Sequence, residues 1–300
     1  LIINSKKSIF DYQISGKKMG YNNLIDLDSG LKCLAEFKDP TSIIIKHTNP
    51  CGVASAKNIN VAFLKSYSSD PKSAFGGIVF LNRNVDLNLV KNIYKHFFEI
   101  VVAPSYDKIA LTYLKKKKNL IILKIPDIKK QFIEYKSTIF GDLYQTTNIL
   151  PINKKFLKLK SYKKASLKSV DDLIFSLKVA KHLKSNSIVL SRNKQTLGLG
   201  HGNTNRVDAL SYAIRNMKKY FKINNFVCAS DGFFPFTDGI SLLNKNGCSV
   251  LAQPSGSIND NKIISFCNKN KISLYFTKNR LFKHWKIKKK FQIILKIYLS

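Results

Sequence analysis

Short apolar runs alternate with amphipathic stretches along the chain, and this alternation predicts a layered α/β structure. In the first half, apolar runs predict strands at 42–46, 76–81, 99–104 and 120–125, and helical spacing predicts helices at 53–67 and 88–98. In the second half, strands are predicted at 187–191, 225–229, 249–252 and 273–277, with helices at 170–183, 205–220, 240–246 and 258–268. The first succession is typical of a mostly parallel sheet.

A lysine-rich, weakly patterned stretch at 151–168 separates the two successions, and we expect it to be a linker. This division predicts one α/β subdomain at 12–150 and a second at 169–284. The ends would then be a remnant of an upstream region at 1–11 and a basic extension at 285–300, for which translated noncoding sequence is the favoured interpretation over a docking strand or a membrane contact.

The two halves share features that favour an internal duplication. A lysine-containing turn adjoins a strand at 46–47 and again at 184–186, and a Ser-Asp pair precedes aromatic residues at 69–75 and at 230–234. The spacings differ, so the pairing of these residues is a hypothesis.

The composition predicts a soluble, cytoplasmic enzyme. With 300 residues, 44% of them hydrophobic, the chain can bury a substantial core. Apolar runs stay below the ~20 residues that a membrane crossing needs, and we see no secretory leader. Five scattered cysteines without C-x-x-C spacing predict reduced thiols rather than a zinc site or disulfides.

The formal net charge of +33 suggests a nucleic-acid partner at first sight. The lysines are, however, spread along the whole chain and mixed with Ile, Asn, Phe and Tyr, as AT-rich codon usage would produce. The dense runs at 115–118 and 286–290 lack a recognisable binding motif. A solvated basic surface is therefore the favoured interpretation over a nucleic-acid or membrane partner.

His47 is a candidate general base. It follows Lys46 at the end of a predicted strand, where α/β folds place their active sites, and Pro50 and Gly52 then predict a break in regular structure. A histidine that caps a turn through a backbone hydrogen bond would give the same pattern, and composition alone favours that alternative.

Glycines at 198, 200 and 202 predict a turn before a helix that begins near Arg206. Amides in such a turn can approach an anion, and a guanidinium can bind phosphate or carboxylate through two hydrogen bonds. Glycines that merely permit a tight hairpin explain the pattern equally well.

The stretch 230–238 combines Asp231 and Asp238 with three phenylalanines and a proline. Phenyl faces beside a carboxylate suit a flat heterocycle that carries an amino group. An ordinary core turn explains the same residues equally well.

Several motifs, in this order, resemble the formyltransferase domain of the bifunctional purine enzyme that makes inosinate, the AICAR transformylase/IMP cyclohydrolase family (AICAR is aminoimidazole carboxamide ribonucleotide). The motifs are GYNNLIDLD at 20–28, IKHTNPCGVA at 45–54, DPKSAFGGIV at 70–79, EIVVAP at 99–104, VAKHLKSNSIV at 179–189, QTLGLGHGNTNRVD at 195–208, ASDGFFPFTDG at 229–239, QPSGSI at 253–258 and RLFKH at 280–284. They cover nearly the whole chain from residue 12 to residue 284, and chance agreement of so many ordered motifs is implausible.

The resemblance implies an α/β fold of two cytidine deaminase-like subdomains packed together, without zinc. It implies transfer of a formyl group from 10-formyltetrahydrofolate to the 5-amino group of AICAR, giving the formylated nucleotide FAICAR in the synthesis of IMP. The implied partners are the AICAR nucleotide, the reduced folate, a second copy that shares the active sites, and an IMP cyclohydrolase domain upstream.

The resemblance also implies roles for individual residues. The catalytic residues would be Lys46, His47 and Asn186, without a metal. The nucleotide would contact Asn23, Gly76, Glu99, Arg206, Arg280 and Phe282, and the folate would contact Phe233 and Asp238.

The sequence departs from the family pattern in several places. Relatives carry an Arg-Tyr-Gly-x-Asn-Pro-His-Gln stretch shortly before the position of Tyr12, and 1–11 shows nothing similar. His201, Asn203 and Asn205 replace residues that are typically Ala, Gln and Ser. These departures keep open an alternative, a truncated or degenerate homologue that binds nucleotide or folate without turnover.

Overall fold

The computed structural model describes residues 8–127, 133–146, 151–277 and 279–281. The strands are β1 Gln13–Ser15, β2 Thr41–Lys46, β3 Asn49–Ser55, β4 Ile78–Leu81, β5 Ile100–Ala103, β6 Ile121–Lys124, β7 Ile133–Thr138, β8 Gly141–Thr146, β9 Leu157–Leu159, β10 Ile188–Arg192, β11 Gln195–Gly200, β12 Phe226–Ser230, β13 Cys248–Pro254 and β14 Ser273–Thr277. The helices are α1 Tyr21–Leu34, α2 Ile59–Ser69, α3 Pro71–Ala74, α4 Leu87–Tyr94, α5 Lys108–Lys115, α6 Leu167–Ala180, α7 Arg206–Tyr220, α8 Asp238–Lys245 and α9 Asp260–Lys269, with single 3-10 turns at Ile9–Tyr12 and Lys154–Phe156.

The strands that were predicted from apolar runs are confirmed as β2, β4, β5, β6, β10, β12, β13 and β14. Helices α4, α6, α7, α8 and α9 confirm the helical predictions, with ends shifted by a few residues. Helices α1, α3 and α5 and strands β1, β3, β7, β8, β9 and β11 were not predicted. Strand β9 lies inside the stretch 151–168 and pairs with β14.

The helix predicted at 53–67 is wrong at its start, because 49–55 form β3 and α2 begins only at Ile59. Pro50 lies beside the bulge where the β2–β3 register shifts, a position that tolerates proline in a sheet. Gly52 lies under α2, where a Cβ would come within 1.9 Å of the Ser66 carbonyl oxygen. The two residues that predicted a break therefore belong to a strand that a helix crosses closely.

The turn predicted from the glycines at 198, 200 and 202 is also wrong for the first two, because Gly198 and Gly200 lie within β11. A Cβ on Gly198 would come within 2.1 Å of the Ala213 carbonyl oxygen, and one on Gly200 would meet the Ala209 carbonyl oxygen still more closely. These two glycines let α7 pack directly on the strand, as Gly52 does for α2, and so do not form an anion-binding loop.

Within the described residues, twelve strands form one mixed sheet in the order β1-β6-β5-β4-β2-β3-β11-β10-β12-β13-β14-β9, and β7 and β8 form a separate hairpin. The neighbours β4, β5 and β6 are parallel, as are β12, β13 and β14, while the other neighbouring pairs of the sheet are antiparallel. The prediction of a mostly parallel sheet is therefore wrong, because hairpins β2–β3 and β10–β11 occupy the centre.

The strand order repeats outward from the centre of the sheet. Each half has a hairpin, a strand antiparallel to the first hairpin strand, two further parallel strands and an antiparallel edge strand. The halves meet where β3 and β11 pair through Ala54 and Gln195.

The residue pairs that suggested a duplication do not correspond in this repeat. Lys46 ends the first strand of its hairpin, whereas 184–186 precede the first strand of theirs. In the same way, Ser69 ends a helix, whereas Ser230 ends strand β12.

Three groups of buried apolar side chains cover the two faces of the sheet. Helices α1 and α6 pack on one face over a core shared by both halves, which contains Leu34 and Leu177. On the other face, α2, α4 and α5 cover the first half around Phe63, and α7, α8 and α9 cover the second half around Leu210. None of the helices in the described ranges combines the length and apolar composition that a membrane crossing needs.

A buried carboxylate links the two halves on each face of the sheet. On the α1–α6 face, Glu36 accepts a hydrogen bond from Lys181 Nζ at 2.6 Å and lies 3.5 Å from His182 Nε2. On the opposite face, Asp70 accepts hydrogen bonds from Asn216 and Tyr220, both at 3.1 Å. These links join the halves on either side of the short pairing between β3 and β11.

Candidate functional site

The predicted site residues in the described ranges lie at one edge of the twelve-stranded sheet. Because β2 runs antiparallel to β4, and β4 parallel to β5, this edge contains the end of β2 and the starts of β4 and β5. Because β3 runs antiparallel to β11, the same edge in the second half contains the start of β10 and the ends of β11, β12 and β14. The residues in the segments at these strand ends are Lys46, His47, Gly76, Glu99, Asn186, Arg206, Phe233, Asp238 and Arg280. Phe282 lies outside the described residues.

His47 is the first residue of the two-residue turn between β2 and β3. His47 and Thr48 have φ angles of 52° and 65°, as both central residues of a type I′ hairpin turn require. Helix α1 fixes the turn, because Asp26 Oδ1 accepts from the Thr48 amide at 2.6 Å and Ser29 Oγ donates to the Thr48 carbonyl oxygen at 2.5 Å. The turn is thus held by side chains other than the imidazole, and the His47 side chain is exposed.

Lys46 is anchored to the segment that leads into β4. Its Nζ donates to the Phe75 carbonyl oxygen at 2.7 Å, which uses one of the three N–H groups of the ammonium. Gly76 follows with a φ of 72°, and its amide donates to the Phe97 carbonyl oxygen at 2.9 Å. The bend that places Gly76 beside Lys46 thus favours glycine.

Two exposed aromatic rings flank this bend and were not predicted as site residues. Phe75 and Phe97 lie 5.1 Å apart between ring centroids and remain 62% and 52% exposed. A signal was present in the sequence, since each ring stands within two residues of Gly76 or Glu99.

Glu99 and Asn23 form a half-buried pair next to the bend. Asn23 Nδ2 donates to Glu99 Oε2 at 3.0 Å, while Asn23 Oδ1 accepts from the Gly20 amide at 3.1 Å. The Glu99 amide donates to the Gly77 carbonyl oxygen at 3.1 Å, so Gly76 and Glu99 belong to neighbouring segments of the edge. The first half of the sheet therefore brings Asn23, Gly76 and Glu99 together, with Lys46 beside them.

Arg206 is the centre of a buried polar network in the second half. Its Nη1 donates to Asp231 Oδ1 at 2.5 Å and to Ser230 Oγ at 2.8 Å, and its Nη2 donates to Asn186 Oδ1 at 2.6 Å. The Arg206 and Asp231 side chains are only 10% and 1% exposed. The guanidinium thus neutralises a buried carboxylate and orients the Asn186 amide.

For Asp231 the structure favours the alternative of a core turn over that of an acceptor for a flat ligand. Its carboxylate is buried, and besides the bond from Arg206 it accepts one from Ser185 Oγ at 2.6 Å. The sequence could not reveal this arrangement, because Arg206 is 25 residues away along the chain.

The phenylalanines and the second carboxylate of 230–238 occupy different environments. Phe234 is fully buried in the core, whereas Phe233 is half-buried with the Arg280 guanidinium 5.2 Å from its ring centroid, within cation–π distance. Asp238 is exposed at the start of α8 and accepts from the Gly239 amide at 2.8 Å. Phe233, Arg280 and Asp238 therefore lie together in sequence segments at this edge of the sheet, with Asp238 and Arg280 exposed and Phe233 half-buried.

The Asn49 side chain connects the two halves of the site. Asn49 Nδ2 donates to the His47 carbonyl oxygen at 2.9 Å, and Asn49 Oδ1 accepts from the Lys184 amide at 3.1 Å. Lys184 stands two residues before Asn186, whose Nδ2 donates to the carbonyl oxygens of Asn203 and Thr204. Sequence reasoning missed Asn49, although it lies within the motif around His47.

The five cysteines are unpaired. Burial, and to a smaller extent the nearby Asp70 charge, raise the pKa of the Cys51 thiol to about 12, so this residue near the His47 turn is a neutral thiol at neutral pH. In the described part of the chain, no group of three or more His, Cys, Asp or Glu side chains is arranged to hold a metal ion.

Fold and site together define an α/β protein in which two copies of one sheet topology combine their polar side chains at a shared edge. A family model described as the AICARFT/IMPCHase bienzyme matches residues 3–216. The chain belongs to this family.

Relatives from several bacteria match most of this chain. The chain is 45% identical over 274 residues to the bifunctional purine biosynthesis protein PurH of Caldicellulosiruptor bescii, an alignment that covers 91% of this chain and 53% of the relative. The PurH proteins of Fusobacterium nucleatum and Buchnera aphidicola are each 43% identical, over 91% of this chain and 54% and 52% of their own lengths. The chain thus spans about half the length of these relatives.

Proposed function

We propose that this chain is the formyltransferase part of a bifunctional purine enzyme. It transfers formyl from 10-formyltetrahydrofolate to the 5-amino group of AICAR, giving FAICAR for the synthesis of IMP. Family membership supports the reaction class. The observation that carries the proposal for this chain is the Asn49 bridge, since it places the turn with His47 beside the loop with Asn186.

The proposal includes the wider arrangement that the family suggests. The two subdomains at 12–150 and 169–284, with 151–168 between them, are of the cytidine deaminase-like type and need no zinc. The enzyme acts in the cytoplasm as a homodimer whose partner completes the active site, together with an IMP cyclohydrolase domain. The repeated strand order of the two halves supports the two-subdomain part of this proposal.

In the proposed reaction, His47 takes a proton from the 5-amino group as the amino nitrogen attacks the formyl carbon. This amine is a poor nucleophile, because its lone pair is delocalised into the ring and the carboxamide, so proton removal and close placement are both required. The tetrahedral intermediate then expels N10 of the folate, which receives a proton, and the formylated nucleotide forms. The exposed position of His47 on a turn that the Asp26 and Ser29 side chains fix supports this role.

Lys46 is the better candidate to stabilise the negative carbonyl oxygen of the intermediate. Its ammonium has two N–H groups beyond the one that Phe75 accepts. Both N–H groups of the Asn186 amide already donate to backbone carbonyls, and its oxygen accepts from Arg206. Asn186 therefore assists by fixing the loop beside the His47 turn rather than by donating to the oxyanion.

The remaining predicted residues divide between the two substrates. Asn23, Gly76, Glu99, Arg280 and Phe282 contact the nucleotide, as does the part of Arg206 that Asp231 and Asn186 leave uncommitted. Phe233 and the exposed Asp238 contact the folate, with the Phe233 ring beside Arg280 supporting a flat ligand there.

The proposal is tested by incubating the purified chain with AICAR and 10-formyltetrahydrofolate and detecting FAICAR by mass spectrometry. We expect product from the natural chain, and none from His47→Ala, with AICAR affinity by calorimetry within about threefold of the natural value. His201→Ala is the matched control and should keep most activity. A folded natural chain that binds both substrates without turnover would favour the degenerate homologue, and full activity in His47→Ala would exclude the base role.

A further inference from the structure

A cavity of about 310 Å³ lies at the edge of the sheet opposite to the candidate active site. It opens where β4, β5 and β6 end, next to the last turn of α1. Crevices outside the carboxyl ends of parallel strands are the usual ligand sites of α/β sheets, and this volume is at the lower end of the roughly 300–1,000 Å³ that ligand pockets occupy.

The internal repeat places this cavity at the position that the second half uses in the candidate active site. Asn82 follows β4 and its amide donates to the Thr41 carbonyl oxygen, just as Asp231 follows β12 and its amide donates to the Ser187 carbonyl oxygen. The cavity in the first half thus corresponds to the region around Phe233 and Arg280 in the second half. It lies at the other edge of the sheet because the strands of the two halves run in opposite directions.

The lining divides into an apolar floor and a charged rim. Leu34, Val102 and Ile125 form buried parts of the floor. The rim carries Lys38, Arg83 and Asp127, so two cations and one carboxylate leave a net charge of one positive unit. Asp39, the next carboxylate along the chain from Lys38, is paired with Lys194 at 2.7 Å.

Arg83 is held in position by the backbone. Its Nη1 donates to the Asn82 carbonyl oxygen at 2.8 Å and its Nη2 to the Lys38 carbonyl oxygen at 2.6 Å. These bonds use two of the five N–H groups of the guanidinium, and Arg83 is in none of the ion pairs of the described residues, although its charge acts on the Asp39 carboxylate from a longer distance. A fixed guanidinium at the mouth of an apolar cavity is suited to bind an oxyanion through paired hydrogen bonds.

We propose that this cavity binds a small apolar carboxylate, with its hydrocarbon body on Leu34, Val102 and Ile125 and its carboxylate on Arg83. A single negative charge balances the single positive charge of the rim. The site is separate from the formyl-transfer cleft, so it stands or falls independently of the proposed reaction.

The test titrates benzoate, and benzyl alcohol as its neutral analogue, into the 300-residue chain by saturation-transfer NMR. We expect saturable benzoate binding in the millimolar range, about tenfold weaker binding of benzyl alcohol, and no displacement of benzoate by AICAR. Arg83→Met should weaken benzoate binding at least about tenfold. Arg192→Met, which removes an exposed arginine at the same sheet edge outside the cavity, should leave it unchanged.

A second variant separates binding from folding. Ala35→Phe adds a large side chain to the cavity lining and leaves the residue at position 83 unchanged, and it should abolish benzoate binding while the circular dichroism spectrum is retained. Equal benzoate affinity in Arg83→Met and the natural chain, displacement by AICAR, or the lack of saturation at about 10 mM benzoate would each overturn the proposal.

Discussion

Asn49 Oδ1 accepts a hydrogen bond from the Lys184 amide at 3.1 Å, so the turn that carries His47 is fixed to the loop that carries Asn186. The two segments are 135 residues apart in the chain, and each comes from a different half of the sheet. The candidate active site therefore forms only where the two halves of the sheet are in contact.

Replacing Asn49 tests this bridge. Asn49→Ala removes the acceptor for Lys184 and the donor to the His47 carbonyl oxygen, and a displaced turn should lower kcat/KM for formyl transfer roughly 10- to 100-fold. The stability loss in urea should be only about 1–2 kcal/mol. Asn49→Asp retains an acceptor for Lys184 and should recover part of the activity. Equal rates for Asn49→Ala and the natural chain would show that the bridge does not position the site.

Lys46 and Asn186 should respond differently to substitution. Lys46→Met removes the proposed oxyanion donor and should lower kcat by about 10² to 10³, with little change in KM. Asn186→Ala disturbs the Arg206 network, so it should lower both kcat/KM and the free energy of unfolding. Steady-state kinetics and urea titration of both variants check this distinction. A Lys46→Met variant that is destabilised more than Asn186→Ala would argue for a structural role of Lys46.

Removing only one partner of the buried pair Arg206–Asp231 should lower the free energy of unfolding far more than replacing both partners. Arg206→Met leaves a carboxylate that is 1% exposed without its cation, and it should destabilise the protein by about 3–5 kcal/mol. In the double variant Arg206→Met, Asp231→Asn the remaining side chain is uncharged, so part of the stability should return. The measurement is a double-mutant cycle in urea. Additive losses would show that the two side chains do not interact.

Gly198 should not tolerate a side chain. The Cβ of Gly198→Ala would lie 2.1 Å from the Ala213 carbonyl oxygen, so α7 must move away from β11, at a cost of about 3 kcal/mol. Gly20→Ala is the control, because its Cβ would meet the nearest atom, Asn23 Oδ1, only at 3.8 Å. Thermal unfolding of both variants provides the comparison. Similar melting temperatures would contradict the close helix–strand packing.

Acid should weaken the link between the halves through Glu36. Burial raises the pKa of this carboxyl, but the His182 hydrogen bond and the Lys181 charge outweigh it and lower the pKa to about 2 from the ordinary 4.5. A folded-state pKa below the unfolded value means that the stabilisation is complete above about pH 4.5 and is lost as the pH falls toward 2.

The contribution of Glu36 at neutral pH is on the order of 3 kcal/mol. Glu36→Gln should therefore be less stable than the natural chain at pH 7, and the difference between the two should shrink between pH 4.5 and pH 2. Urea titrations across this pH range measure it. A stability difference that is constant with pH would exclude the carboxylate as its source.

Apolar runs were sufficient to predict most of the sheet. Strands such as β2 and β14 are buried over almost their whole length, so a continuous apolar run marks them. Strands β3 and β11 were not predicted, because proline and glycine usually indicate a break in regular secondary structure. The residues concerned are Pro50, Gly52, Gly198 and Gly200. The three glycines are present because α2 and α7 approach these strands closely, which is a property of the tertiary structure.

The site was predicted through motifs, and local sequence could not distinguish exposed from buried members of those motifs. Asp231 and Asp238 stand in the same stretch, yet one is buried against Arg206 and the other is exposed at a helix start. Asn49 lies inside a motif but was missed, because its hydrogen-bond partner Lys184 belongs to the other half of the chain.

The opposed orientation of the two halves has a consequence for how such a site can arise. At the edge that carries the candidate site, the first half contributes the amino ends of its parallel strands and the second half contributes the carboxyl ends of its parallel strands. The two halves therefore contribute different loops to this edge, and they would do so even with identical sequences. Two different sets of loops at one shared edge therefore follow from the repeated topology itself, before any difference in sequence between the halves.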